Sequence, residues 1–443
     1  MKDTVKNLEA LRQAMRKSHV DAVIISGTDP HQSEYTSAHW KLRDWVTGFT
    51  GSNGTAVVTL TDAGLWTDSR YFLQAEQELE GTGVTMYKED GGNDPTTTEW
   101  LAENLEEGGV LAVNGLLFSV VQASRLEAFC GENGFRFATD FDPFPEIYAD
   151  RQALPLDKVF VHEEQYAGES TQSKIKKVLG KAAEHGADAT LLSALDEIAW
   201  TLNVRCSDVE FNPVTISYAY LSDTVNVFFV DERKIDADVR AYLKECGVEV
   251  APYDSVEKFL EKIKDATVLL DPNKTSDTIA RSLLNCGTVY AQSPVALLKA
   301  VKNDVQIEGT RKAMERDGVA LVKLFMWIEQ NVASGSITEY DVAQKVQEFR
   351  AASPLYRGES FGLIAGYNEH GAIVHYEPEK ETSSTLHPEG MLLVDTGGQY
   401  LDGTTDITRT VALGTPTEAQ RHDYTLVLKG HIALGSMIYP TGT

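Results

Sequence analysis

Two stretches of the chain repeat one hydrophobic pattern. Leu8–Ser26 (LEALRQAMRKSHVDAVIIS) and Ile175–Ser193 (IKKVLGKAAEHGADATLLS) each open with apolar residues at helical spacing. Each then passes a short polar turn and closes on an unbroken apolar run of strand length. Asp21 and Asp188 occupy the same place in the two copies, 167 positions apart. That period is far too long for a solenoid, so the pattern predicts a duplicated α/β domain. Helix–turn–strand units in α/β proteins do resemble one another by default; the identical spacing across both copies favours duplication. A third pattern opens at Asn303-Asp304, a plausible helix cap, and continues as a long helix through Met314, Val319, Val322 and Ile328. The proline cluster Asp142-Pro143-Phe144-Pro145, with Pro155 beyond it, suits a linker. Three segments follow, at 1–157, 158–302 and 303–443.

Composition agrees with this picture and removes some functions. A chain of 443 residues exceeds one ordinary core, and 42% hydrophobic with 24% charged residues is a globular balance. No apolar run approaches the roughly 18 residues of a membrane span. The first twenty residues read as a charged amphipathic helix, without the apolar centre of a signal peptide. Four cysteines (Cys130, Cys206, Cys246, Cys286) stand far apart, which suggests neither a zinc knuckle nor a disulfide framework. A cytoplasmic protein is expected. Forty basic against 66 acidic residues give a net charge of −26, which repels nucleic acid and anionic membranes and leaves basic partners open.

Two glycine motifs look chemical and read otherwise. Gly358-Glu359-Ser360-Phe361-Gly362 fits GxSxG, but a nucleophile elbow needs a strand before the serine and a helix after it. Here Ala352–Tyr356 is a poor strand, and the sequence after Ser360 is extended and broken by glycine. Gly51-Ser52-Asn53-Gly54 reads as a hairpin turn, with no Lys-Ser or Lys-Thr to hold phosphate. No HExxH occurs.

The stronger signal is Met391–Leu413, MLLVDTGGQYLDGTTDITRTVAL. An apolar strand ends on Asp395, Gly397-Gly398 breaks it, and Thr404–Leu413 reads as a second strand. Alternation puts Asp406, Thr408, Thr410 and Ala412 on one face and Arg409 on the other. Two buried carboxylates on neighbouring strands need a cation between them, or one must stay protonated. A pair of divalent ions satisfies the first condition. Turn-capping by both aspartates is the other reading that spacing alone allows. His375 lies in Gly371–Tyr376, which reads as another apolar strand ending in polar groups, where a lone histidine is by default a core residue.

The Asp395–Thr410 stretch closely resembles the metal-binding hairpin of the Xaa-Pro aminopeptidases in their three-domain form. The resemblance extends through His31–Tyr35, Trp66–Phe72, Ala194–Trp200, Gly371–Tyr376 and Leu428–Ile432. It implies two creatinase-like α/β domains followed by a pita-bread α+β catalytic domain. The implied activity is metal-dependent cleavage between an N-terminal residue and a following proline, with peptide substrates, two divalent ions (usually manganese) and a homodimer. Asp395 and Asp406 match the first two ligand positions. His375 matches the histidine that steadies the reacting carbonyl, and Arg70 an arginine near the substrate entrance. An ordinary ion pair is the other reading of Arg70. The remaining ligands, a histidine and two glutamates, are expected beyond Thr443, because His422 and His431 lack the required glycine-rich setting. The 443 residues alone are accordingly expected to be inactive. A non-catalytic pita-bread binding module resembling histone chaperones, and a prolidase or creatinase, are the competing readings.

Overall fold

The structure, a computed structural model, describes residues 3–443. The chain divides into two compact units, Met1–Arg311 with Leu401–Gly403, and Lys312–Tyr400 with Thr404–Thr443.

The first unit holds two six-stranded mixed sheets. Across the first, the order is Thr85–Lys88, Ala63–Thr67, Thr55–Thr59, Ala22–Ser26, Val110–Ala112, Arg136–Ala138. Across the second it is Val248–Ala251, Asn226–Val230, Ser217–Ser222, Ala189–Leu192, Thr267–Leu270, Gly287–Tyr290. Corresponding neighbours pair in the same sense in both: parallel, antiparallel, antiparallel, parallel, parallel. Helix Asp3–Lys17 buries Leu8, Leu11 and Met15 in the first core, and helix Thr171–Glu184 buries Ile175 and Val178 in the second.

Asp21 and Asp188 do the same work in each copy. The Asp21 carboxylate accepts the Val110 N–H at 2.9 Å while its own N–H donates to Val110 O. Asp188 treats Thr267 in the same way, with its carboxylate bond at 2.8 Å. Each aspartate thus satisfies the first free donor of the neighbouring parallel strand and fixes where that strand begins.

Two local expectations need correction here. The proline cluster is no linker: Phe144–Ile147 forms a helical turn with Pro143 as its cap and Pro145 in its first turn. There a missing N–H costs nothing. Phe144 is buried, edge-on to Trp45, and Tyr148 stacks on the same ring at 4.8 Å. Gly51–Gly54 is no hairpin turn either, since helix Leu42–Thr47 precedes it and strand Thr55–Thr59 follows. The buried Arg43 guanidinium shapes this loop by donating to Gly51 O and Gly54 O.

The long helix Asp304–Asn331 starts in a capping box. Asn303 Oδ1 accepts from Gln306 N at 2.9 Å, and Gln306 Oε1 accepts from Asn303 N at 3.1 Å. Its core-facing residues in the second unit are Leu321, Leu324 and Ile328; Met314, Val319 and Val322 are 40%, 53% and 59% exposed. The helical period was readable, but not which apolar stripe faces inward. The buried stripe meets Val342 and Val346 of helix Glu339–Ala351. Both helices cover a three-stranded antiparallel sheet, Ile364–Tyr367, Met391–Thr396, Ile407–Ala412, with Met391–Thr396 in the middle.

Replacing Asp21 by Ala is expected to lower stability by about 1–2 kcal/mol, because the orphaned Val110 N–H is nearly buried. Asp188→Ala leaves a solvent-exposed donor and costs less than about 1 kcal/mol. Urea unfolding of the two variants measures the difference; equal losses would contradict the burial argument.

Candidate metal centre

The middle strand alternates: Leu392, Val394 and Thr396 are buried, while Met391, Leu393 and Asp395 are half-buried on the opposite side. Asp395 therefore projects from the more open face. Its cross-strand partner is Thr408, whose hydroxyl donates to Asp395 Oδ1 at 2.7 Å. Asp406 lies two residues before Thr408, just ahead of the strand Ile407–Ala412, near enough to Asp395 for the two charges to interact.

Asp406 senses the charge of Asp395. Partial burial first, and the charge of Asp395 second, push the Asp406 carboxyl above its ordinary value. Neither carboxylate forms an ion pair with Lys or Arg among the described residues. Arg409 pairs across the ladder with Val394 and donates to Thr408 O. The sequence reading made both aspartates buried strand residues. Instead Asp395 is half-buried and Asp406 is exposed, just before the Ile407–Ala412 strand begins. Among the described residues, no three His, Cys, Asp or Glu side chains converge on one point.

His375 departs from expectation more sharply. Gly371–Tyr376 is not a strand: Asn368–Ala372 is a 3-10 turn, and His375 sits half-buried in the turn after it. The chain can fold back because Gly366, in the edge strand, has no side chain. A Cβ there would lie 2.7 Å from Gly371 N. Gly366 pairs with Leu393, and Ile364 with Asp395, so the His375 turn packs on the sheet that carries the aspartates.

Arg70 belongs to the other unit. It makes a two-point contact with Asp68, Nε to Oδ1 at 2.9 Å and Nη2 to Oδ2 at 2.7 Å, and is 37% exposed. That contact with Arg70 holds the Asp68 carboxyl well below its usual range. Ser360 is no nucleophile elbow: strand Tyr356–Glu359 precedes it, but strand Ile364–Tyr367 follows where a helix is needed, and its hydroxyl donates to Thr405 O at 2.8 Å. Ala352–Leu355 is turn rather than strand, as its composition suggested; the short strand begins at Tyr356 and pairs with Gly398–Tyr400. His422 and His431 lie on the helix Glu418–Gly435.

Comparison with known proteins decides the family. Models of the creatinase/prolidase N-terminal domain match residues 7–143 and again 150–306, and the metallopeptidase family M24 model matches 308–443. A probable Xaa-Pro aminopeptidase P of Aspergillus niger is 38% identical over 455 residues, covering 100% of this chain and 74% of that protein. The chain belongs to the Xaa-Pro aminopeptidases of family M24. Aminopeptidase P2 of Arabidopsis thaliana is 36% identical over 96% of this chain, which spans 64% of that relative's length. The X-prolyl aminopeptidase of Caenorhabditis elegans, described as a cytosolic enzyme with a di-nuclear active site, superposes with a TM-score of 0.93 at 29% identity. The match covers 100% of this chain and 75% of that one. The two sheets of the first unit are thus creatinase-type N-terminal domains, and the second unit is of the M24 pita-bread type.

In an Xaa-Pro aminopeptidase the donor set at this hairpin fits divalent cations. Two hard carboxylates lie near each other, repel each other, and have no Lys or Arg among the described residues to neutralise them. The His375 turn has its own support, which sequence reasoning missed. Glu339 is completely buried at the start of its helix, and four groups converge on its carboxylate. They are Tyr367 N at 2.7 Å, Ser384 N at 2.7 Å, Tyr376 Oη at 2.8 Å and His370 Nδ1 at 2.9 Å. A glutamate just after a Thr cap reads in sequence as ordinary first-turn chemistry, so nothing marked it. Glu339→Ala strands several donors at once and is expected to destabilise the protein by roughly 3–5 kcal/mol, whereas Tyr376→Phe removes one bond and costs about 1 kcal/mol. Denaturant midpoints of the two variants check this; a mild Glu339→Ala would mean the turn is held by something else.

Proposed function

We propose that the chain forms the N-terminal domains and the first ligand strands of a metal-dependent aminopeptidase that releases an N-terminal residue from a following proline. The observation that carries this reading is the interacting pair Asp395 and Asp406, without a neutralising Lys or Arg among the described residues, in a chain with family kinship along its whole length. The divisions at 157 and 302 belong to the same reading, as do a cytoplasmic location and a homodimer. No helix among the described residues is long and apolar enough to cross a membrane.

Asp395 and Asp406 would hold two divalent ions, taken here as manganese, a number supported by the di-nuclear site of the Caenorhabditis enzyme. When bound, the ions would supply Lewis acidity and lower the pKa of a water. The protein does the rest. Thr408 orients Asp395 through its hydroxyl. His375, from its supported turn, donates to the carbonyl oxygen of the scissile bond and stabilises the charge that develops there. Arg70, oriented by Asp68, would contact the peptide substrate. A binding module of this fold has no use for two mutually repelling carboxylates, which is why the enzyme is preferred.

In the complete protein, Asp406→Asn is expected to abolish tight manganese binding, since an amide oxygen offers a dipole where a charge is needed. Metal analysis after dialysis reads this directly; wild-type stoichiometry would refute the ligand assignment. His375→Ala should keep both ions and lower kcat on an Xaa-Pro peptide by about 10²–10³-fold. Loss of metal, or an unchanged kcat, would show the role to be misassigned. Full metal loading with no turnover in the wild-type protein would favour the binding module.

A further inference from the structure

Beneath the aspartate hairpin lies a buried ion pair that none of the roles above uses. Asp317, on the helix Asp304–Asn331, and Arg350, on the helix Glu339–Ala351, both have fully buried side chains. They meet at two points, Arg350 Nε to Asp317 Oδ1 at 2.6 Å and Nη2 to Oδ2 at 3.0 Å. Their other contacts converge on the connection between the two aspartates. Arg350 Nη1 donates to Thr396 Oγ1 at 2.7 Å and to Gly397 O at 3.0 Å, and also to the Glu359 carboxylate. Asp317 accepts from Thr405 Oγ1 at 2.7 Å and from Tyr400 Oη at 2.9 Å.

The sequence positions give this arrangement its meaning. Thr396 directly follows Asp395, and Thr405 directly precedes Asp406. Arg350 therefore grips one side of the pair and Asp317 the other, and a bidentate contact joins the two grips. Closure is tight: a Cβ on Gly397 would collide with Thr405 O and Ser360 Oγ. Thr405 Oγ1 also accepts from Gly398 N at 2.9 Å, tying the two sides directly. A buried ion pair is a poor device for stability alone, because apolar residues of equal volume often serve as well or better. Apolar residues could not hold three hydroxyls and a carbonyl in fixed directions.

We propose that Arg350–Asp317 is a positioning pair for the metal centre: through Thr396 and Thr405 it sets the separation of Asp395 and Asp406, and so the affinity for the ions. The inference rests on the reading of those aspartates as ligands. The pair touches no ion; it restrains two repelling carboxylates in the spacing that the ions require. Outer partners of this kind typically contribute 10–100-fold to metal affinity.

The test uses the complete protein, stripped of metal and titrated with Mn²⁺ alone by calorimetry, alongside the melting temperature of each metal-free variant. Thr396→Val and Thr405→Val keep shape and remove only the hydroxyl links. Each should weaken Mn²⁺ binding by about 10–100-fold, while the metal-free protein still melts cooperatively within a few degrees of wild type. Thr396→Ser and Thr405→Ser, which keep the hydroxyl, should restore wild-type affinity. Asp317→Asn should weaken Mn²⁺ binding as well, and the threonine variants carry the test if it does not fold. Unchanged affinity in both valine variants, with binding abolished in Asp406→Asn, overturns the proposal and leaves the pair purely structural. Unchanged affinity in Asp406→Asn overturns the ligand reading itself, and this inference with it.

Discussion

Like charge held close on a rigid frame is the constraint around which the second unit is organised. Asp395 and Asp406 are brought near each other because Met391–Thr396 pairs antiparallel with Ile407–Ala412 in one register, Asp395 opposite Thr408 and Thr396 opposite Ile407, with Asp406 directly before that strand. A slip of one residue would break that pairing and expose the apolar set now buried. Leu392 and Val394, fully packed against two helices, forbid that slip. Hydrophobic burial on one side of the sheet thus enforces electrostatic repulsion on the other. Divalent cations bound there, as proposed, would relieve that repulsion and couple the stability of the fold to its chemistry.

Polar groups inside the same unit fall into two sets with separate duties. Glu339 gathers Tyr367, His370, Tyr376 and Ser384 and so ties down the segment around His375. Asp317 and Arg350 gather Thr396, Gly397, Tyr400 and Thr405 and so tie down the connection between the aspartates. Both sets are carried by helices, whose backbones move less than loops do, and both deliver their restraint one residue away from a candidate functional group. The first unit repeats one topology with different cores: Trp66 stacks on Tyr87 at 4.4 Å in one copy, where Phe229 meets Phe259 edge-on at 5.2 Å in the other. Within that unit His31 joins the copies, with Nδ1 2.8 Å from Ser193 O and Nε2 2.9 Å from Tyr253 Oη.

Local pattern made much of this legible in advance. Helix–turn–strand periodicity announced both copies, and the matched position of Asp21 and Asp188 carried over into matched hydrogen bonds, because each aspartate acts on a strand start that the pattern already defines. The Asp395 strand, its antiparallel partner and the direction of Arg409 followed from alternation alone. Errors arose where long-range contacts overrule local preference. Gly371–Tyr376 has the composition of a strand, yet the chain folds back there against Gly366, and Glu339, more than thirty positions upstream, holds the Tyr376 hydroxyl. Phe144–Ile147 looked like a linker because a helical turn stabilised by one aromatic contact leaves no periodic trace.

Sequence by itself determined the fold class, the duplicated sheets and the residue types of the candidate centre, since each depends on periodicity or on motifs contained in a short stretch. Only the tertiary structure decided which stripe of the Asp304–Asn331 helix is core, how open Asp395 and Asp406 are, and that Asp317 and Arg350 meet. Burial of a charge depends on what packs over it from elsewhere in the chain. Asp317 and Arg350, 33 positions apart on different helices, look in sequence like two ordinary charged helix residues until the fold closes over them.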